Sequence, residues 1–380
     1  MSAYTKLFPF IKVRSIACFL IIVSILSVNV GALGLSAQSA ILIDAESGRI
    51  LYESNGFHKM SMASTTKIMT AVVAIENMPL DTKIKIPKEA TGIEGSSIYL
   101  CEGEILTLEQ LLYALLLASA NDAATAIALS LGKSIEGFAQ MMNECAERIG
   151  LIDSHFENPH GLDSDNHYTT ASDLAKLTAY ALTLPAFRKI VSTQKTTIPF
   201  NNTENLRYLT NHNKLLKSYQ GAIGVKTGFT KKSGRCLVSS ASRDGVTLIA
   251  VTLNAPNDWK DHTAMLDYGF QNYEMVELSP YSINLPTVSG IKATVYCSKD
   301  DEEKVLLPKH RGEIQRTVEL YPFAYAPIDK GEILGEIIYF CDGKEIGRCN
   351  IVATESVALR SQKSAIWDKV LRFFKITGDK

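Results

Sequence analysis

The sequence predicts an α+β domain followed by a smaller all-β domain, on three observations. Strand patterns open and close the first 275 residues. "SAILIDAESGRILYES" at 39–54 and "CLVSSASRDGVTLIAVTLNA" at 236–255 each read as two strands around a turn signal. Helical patterns fill the middle, from 107 to 150 and again from 172 to 183. Beyond residue 277 the periodicity changes to short β runs separated by turn residues. A sheet drawn from both ends of a segment, with helices from its centre, is an α+β arrangement.

The elements follow in order. Lys6, Lys12 and Arg14 precede an uncharged stretch at 16–35, and small residues then allow cleavage after Ala32 or Ala37. Residues 1–37 therefore read as a secretory signal peptide. An uncleaved membrane anchor is the other reading, because about 20 apolar residues can span a bilayer. Either way the body, 38–275 and the residues beyond it, is expected to be exported. A net charge of −1, with no basic cluster in the body, argues against nucleic acid as a partner.

After the 39–54 hairpin, "MASTTKIMT" at 62–70 opens an apolar run. "LTLEQLLYALLLA" and "DAATAIALSLG" read as apolar helices meeting at "SAN", and "SIEGFAQMMNECAERIG" as an amphipathic helix ending at Gly150. A polar loop, "ENPHGLDSDNHYTT", separates these from the 172–183 helix. Residues 277–356 carry "ATVYC", "TVELYPFAYA", "EILGEIIYFC" and "CNIVA", expected to form a small β-sandwich. At 361–376, Ile366, Trp367, Val370, Leu371 and Phe374 fall at helical spacing among Lys363, Lys369, Arg372 and Lys375. That pattern suits a basic amphipathic helix lying on a membrane surface; packing on the protein's own surface is the alternative.

Seven cysteines in a chain of this length do not make a disulfide framework. Cys341 and Cys349 flank "DGKEIGR", a hairpin signal, and could face each other as a disulfide or as free thiols. No Cys/His spacing suits a metal.

The chemistry lies in three short motifs. Ser64 and Lys67 stand three apart, so on a helix they share a face. The pattern is weak alone, since it recurs at Ser130–Lys133, Ser192–Lys195 and Ser289–Lys292. A serine hydroxyl needs a base to become a nucleophile, and a lysine is that base only when desolvation or a second cation lowers its pKa. "GVKTGFT" at 224–230 supplies a second lysine, Lys226, with Thr227 beside it and Gly228 leaving room for a ligand. A Ser-x-Asn completes the set. Ser164-Asp165-Asn166 lies in a turn-rich loop, whereas Ser119-Ala120-Asn121 lies where two apolar helices meet and would hold its side chains rigidly, so Ser119 and Asn121 are preferred.

With these motifs in order the chain resembles the serine-type D-alanyl-D-alanine carboxypeptidases, the low-molecular-mass penicillin-binding proteins. "SAILIDAESGRILYE", "MASTTKIMTAVVA", "LLLASANDAATAIA", "NPHGLD", "HYTTASDLA", "GVKTGFT" and "CLVSSASRDG" carry the resemblance, and "KGEILGEIIYF" extends it into the β domain. The resemblance implies a serine β-lactamase-like domain, an antiparallel sheet with a helical subdomain. It implies Ser64 as nucleophile, Lys67 as general base and Ser119 as proton relay. Asn121, Lys226, Thr227, Gly228 and Phe229 would bind substrate, with the N–H groups of Ser64 and Phe229 as oxyanion hole. The implied partners are a peptidoglycan pentapeptide, β-lactam antibiotics and, through the terminal helix, the outer face of the cytoplasmic membrane, with no metal or organic cofactor. Three positions depart from the family pattern: Ser61 stands for a common proline, Phe229 for a histidine and His212 for an arginine. His160 and His167 are assigned no role. A class A β-lactamase shares the three motifs but would carry a water-activating glutamate, for which Glu157 is the candidate. An inactive wall-binding scaffold would have no need of Ser64, Lys67 and Lys226.

Overall fold

The computed structural model describes residues 33–300 and 303–360. The expected leader lies outside these residues up to residue 32, and the expected helix at 361–376 lies outside them entirely.

The chain opens with the hairpin β1 (Ser39–Asp44) and β2 (Ile50–Ser54). All six β1 residues are buried, so this strand is covered on both faces. A 3-10 turn at Ala63–Thr66 runs into α1 (Lys67–Asn77), which is buried from Lys67 through Ala74. Short strands β3 (Lys83–Lys85) and β4 (Ile105–Thr107) pair across a long loop. α2 (Leu108–Leu117) starts at a capping box: the Gln110 N–H donates to Thr107 Oγ1 while the Thr107 N–H donates to Gln110 Oε1. α3 (Asn121–Gly132) is rich in alanine, and its small side chains let its first eight residues lie inside the core. α4 (Ile135–Arg148) is capped by Ser134 and α5 (Ala171–Thr183) by Thr170, while α6 (Pro185–Ser192) starts with a proline whose missing N–H costs nothing there. A hairpin, β5 (Lys195–Pro199) and β6 (Leu206–Thr210), and a single helical turn, α7 (Leu215–Ser218), lead to β7 (Ala222–Thr230), β8 (Gly234–Arg243) and β9 (Val246–Leu253).

These strands make one antiparallel sheet in the order β2-β1-β9-β8-β7, with Ile41 opposite Val251. The two ends of the domain thus meet in its middle strands, as the strand pattern predicts. Ile41, Ile43, Ile249 and Val251 face the helical core. Leu42 and Leu248 face α8 (Asp258–Asn272), where Gly269 has no room for a Cβ against Leu248. The sequence reading did not find α8. Its buried positions include Asp258, Asp261 and His262 beside Met265 and Leu266, so it shows no broad apolar stripe.

α8 passes directly into β10 (Tyr273–Glu277), and β11 (Ser282–Val288), β12 (Thr294–Lys299), β13 (Lys304–Pro308), β14 (Ile314–Leu320), β15 (Ala324–Tyr325), β16 (Ile333–Cys341) and β17 (Lys344–Ala353) come after it. β10 and β13 form a ribbon, and the rest form one sheet in the order β14-β16-β17-β12-β11-β15. The expected sandwich of two sheets is therefore corrected to a single six-stranded sheet with a separate ribbon. The cause is "TVELYPFAYA", which reads as one strand but breaks at Tyr321-Pro322, sending β14 and β15 to opposite edges of the sheet. Flat, those edges would lie about 24 Å apart. The connection from Leu320 to Ala324 reaches at most about 14 Å, so the sheet must curl towards closure around Val295, Ile337, Tyr339 and Ile351. Cys341 and Cys349 are free thiols, and they do not face each other: Cys349 pairs with Ile337 and Cys341 with Lys344.

Candidate active site

The serine turn is shaped by the contacts that press on it. Ala63 is held at φ +47°, and the Thr65 and Thr66 hydroxyls donate to the carbonyls of Met62 and Ala63 at 2.6 and 2.8 Å. Gly161, at φ +86°, lies on the Ala63 carbonyl so closely that a Cβ would overlap it. This contact fixes the 157–170 loop over the turn and puts the His160 carbonyl beside Lys67. The Lys67 Nζ has three acceptors: Ser64 Oγ at 2.9 Å, Asn121 Oδ1 at 2.7 Å and His160 O at 2.6 Å. None is a carboxylate. Burial, and then the nearby charge of Lys226, hold the Lys67 ammonium well below the ordinary lysine range, with Asp122 pulling the other way.

The second wall is the α2–α3 junction. Ser119 sits in the left-handed region at φ +61°, which turns the chain so that Asn121 starts the next helix. The Asn121 side-chain amide donates to Glu94 O at 2.5 Å, and its backbone N–H donates to Ser96 O at 2.7 Å. Asp122, fully buried, accepts from Ser97 Oγ at 2.6 Å and from the N–H groups of Ile98 and Leu100. The 94–100 loop is therefore tied to α3 on both sides, and Asn121 has its oxygen oriented towards Lys67.

β7 closes the site. Lys226 Nζ donates to Ser119 Oγ at 3.0 Å and to Thr227 O at 2.9 Å, and burial pushes its pKa down to about 7. A Cβ on Gly228 would stand 3.1 Å from Ser64 N and 3.2 Å from the Ala63 Cβ, so the strand runs against the serine turn. Phe229 is exposed beside it. The His212 imidazole has its pKa lowered by desolvation and by the Lys226 charge, which disfavours a cationic role there.

The fold thus gathers Ser64, Lys67, Ser119, Asn121, Lys226, Thr227 and Gly228 into one place and leaves the other matches elsewhere. The Ser130 and Ser192 hydroxyls donate to helix carbonyls, Ala126 O at 2.9 Å and Lys189 O at 3.0 Å. Ser164 donates to the Glu157 carboxylate, and Asp165 is a fully exposed partner of Lys232. Glu157 is therefore engaged within its own loop. His167 is buried, with its Nδ1 accepting the Glu157 N–H at 3.0 Å. Nε2 consequently carries the proton and donates to Thr66 Oγ1 at 2.8 Å. Desolvation lowers its pKa to about 4, and that of His160 to about 3, so both are neutral supports. Sequence reasoning missed the His160 carbonyl and Asp122. The only signals were a glycine after His160 and an acid in the first turn of an apolar helix.

Residues 27–257 match the family model for D-alanyl-D-alanine carboxypeptidase, and residues 285–359 match that for the C-terminal domain of penicillin-binding protein 5. D-alanyl-D-alanine carboxypeptidase DacF of Bacillus subtilis is 32% identical over 337 residues, covering 84% of this chain and 86% of its own. Penicillin-binding protein 5 from Haemophilus influenzae has a similar structure, with a TM-score of 0.70 at 28% identity over 85% of this chain and 98% of its own. The Streptomyces K15 DD-transpeptidase aligns with 62% of this chain and 98% of its own, with a TM-score of 0.60 and 34% identity.

Proposed function

The chain belongs to the D-alanyl-D-alanine carboxypeptidase family, and from that premise we propose which residues carry its reaction. The enzyme is a serine peptidase that removes the terminal D-alanine of peptidoglycan stem peptides through an acyl-enzyme. Ser64 Oγ attacks the carbonyl carbon between the two D-alanines as its proton passes to the neutral Lys67 amine. The N–H groups of Ser64 and Phe229 hold the oxyanion. The C–N bond then breaks, and the departing amine takes the proton from Lys67 by way of Ser119. Water attacks the acyl carbon in turn and gives a proton to Lys67. The bond from the acyl carbon to Ser64 Oγ then breaks, and Lys67 passes that proton to Ser64. This leaves the hydroxyl and the neutral amine restored and releases the shortened peptide as its acid. Lys226 and Thr227 hold the terminal carboxylate of the substrate, and Asn121 holds its amide along with Lys67.

One observation carries this reading: Lys67, buried without a carboxylate partner and beside a second lysine, touches Ser64 Oγ at 2.9 Å. A β-lactam presents the same carbonyl, so it should label Ser64 covalently and persist for minutes or longer. Mass spectrometry of a penicillin-treated digest should place the adduct on "MASTTK"; an adduct on Ser164 or Ser130 would overturn the assignment.

The place of action is the finer part of the proposal. The leader at 1–37 supports export, and the 361–376 segment supports attachment to the outer face of the cytoplasmic membrane. Lys363, Lys369, Arg372 and Lys375 against Asp368 leave a surplus of three positive charges. Each basic residue adds about 1 kcal/mol near an anionic lipid surface. A chain ending at Arg360 should lose most of its binding to anionic vesicles and keep its activity on a small peptide. Equal sedimentation of the shortened and full-length proteins with vesicles would sink the anchor.

A further inference from the structure

The all-β domain exposes an apolar tip at the end away from the catalytic domain. β11 begins just beyond Ser279, whose carbonyl accepts from Tyr339 Oη at 2.8 Å. β14 begins just beyond Arg311, which pairs with Glu274 at 2.8 Å. β14 therefore starts beside the junction with α8, and its seven residues carry the chain about 20 Å from it, towards the end of β11. Three segments meet where the two strands end. The Ala326 N–H donates to Val288 O at 3.0 Å, the Ile291 N–H to Ala358 O at 2.9 Å and the Arg360 N–H to Ser289 O at 2.7 Å.

Exposed on these segments are Tyr325 (67%), Tyr321 (64%), Ile291 (56%) and Leu359 (54%), with Phe323 and Val288 beside them. The Phe323 and Tyr325 rings pack edge to face at 5.3 Å. Apolar side chains gathered in this way on a folded domain mark a contact surface. Its charged neighbours balance: Lys292 is paired with Glu355, and Lys330 and Arg360 are offset by Asp329 and Glu332. The tip therefore offers no field of one sign to a charged partner. Tyrosine rings, apolar in body with a hydroxyl at the end, suit the headgroup boundary of a bilayer.

The route of the chain selects the occupant. Arg360 is hydrogen-bonded into the tip, and Ile366, the first large apolar residue of the amphipathic segment, comes six residues later. That distance is at most about 22 Å. We infer that the tip is a second membrane contact, its Tyr321, Phe323 and Tyr325 rings entering the headgroup layer beside the terminal helix. This inference rests on the anchoring reading. Two contacts fix the orientation of the β domain, which a single point of attachment cannot do.

The test uses full-length mature protein and two single-tryptophan variants, since the chain has only Trp259 and Trp367. Trp259→Phe leaves Trp367 as reporter of the helix. Trp259→Phe with Trp367→Phe and Tyr325→Trp reports the tip. Each is mixed with phosphatidylglycerol–phosphatidylethanolamine vesicles carrying brominated acyl chains, at lipid concentrations where it fully sediments. Penicillin labelling verifies the fold. Both reporters should lose at least half their emission. Quenching of Trp367 alone overturns the tip while the anchor stands, and quenching at position 325 alone supports the tip while the helix reading falls. A variant pair that neither sediments nor is quenched overturns both. Emission at position 325 that instead shifts with protein concentration in the absence of lipid identifies a contact between copies and also overturns the proposal.

Discussion

Lys67→Ala should slow acylation of Ser64 by roughly 10³–10⁴-fold, the upper range of what one general base contributes. The lysine amine is the only ionisable side chain bonded to Ser64 Oγ among the described residues, so its loss leaves the hydroxyl without an acceptor for its proton. The fold should survive, because the substitution removes a buried polar group and leaves a space where water can satisfy Asn121 Oδ1 and His160 O. The rate of penicillin labelling and the release of D-alanine from diacetyl-Lys-D-Ala-D-Ala measure the loss, and a thermal melt checks the fold. The base acts as the free amine, so kcat/KM of the parent should rise with pH as Lys67 loses its proton. That acid limb should vanish with the side chain. Normal turnover by Lys67→Ala would refute the proposed base.

Lys226→Met should act on activity and on stability in opposite directions. Activity on D-Ala-D-Ala peptides should fall about 10²–10³-fold, the cost of removing one donor aimed at a substrate anion. Stability should rise at acid and neutral pH. The Lys226 pKa is about 7 in the folded protein, against an ordinary value of 10.5 in the unfolded chain. The unfolded chain therefore binds the extra proton between these values, and native stability rises with pH across that window. Below pH 7 the buried ammonium costs the full penalty, and Met removes it. The net gain there is on the order of 1–3 kcal/mol once the lost bonds to Ser119 and Thr227 are counted. Melts of both proteins should differ most near pH 6 and converge towards pH 10. Removing the like charge should also raise the pKa of Lys67 and move the acid limb of the residual activity to higher pH. A variant less stable than the parent at pH 6 would mean that Lys226 is held in place by more than its two hydrogen bonds.

Much of this arrangement is legible in the residues. The hairpin signals at Glu46-Ser47-Gly48 and Arg243-Asp244-Gly245, the apolar runs of α2 and α3 and the cap of α5 are local, and each sets its element through its own neighbours. The choice of Ser119 over Ser164 rests on context, because the junction of two buried helices can fix a hydroxyl and a surface loop cannot. The features that escaped were non-local. α8 buries aspartates and a histidine that make sense only against their partners: Ser36 on Asp261, Arg235 on Asp258, and Ser239 and Thr252 on His262. The break in "TVELYPFAYA" depends on which edge each half can reach. The His160 carbonyl enters the site through backbone geometry, and no side-chain pattern encodes that.

The sheet order β2-β1-β9-β8-β7 also governs when the enzyme becomes active. Residues 39–44 pair with β2 locally but cannot find their second partner until residues 248–253 have been made, and Ser64 cannot meet β7 until residues 226–228 have. Such distant pairing makes for slow folding. Until β7 docks, Lys67 lacks the Lys226 charge that adds to burial in lowering its pKa, and Ser64 lacks the strand that closes its site. The chain should therefore react slowly with penicillin before β7 docks, and a rise in labelling rate should accompany the closing of the sheet. Time-resolved labelling during refolding would accordingly clock a long-range step of folding rather than the formation of the 3-10 turn that carries the nucleophile.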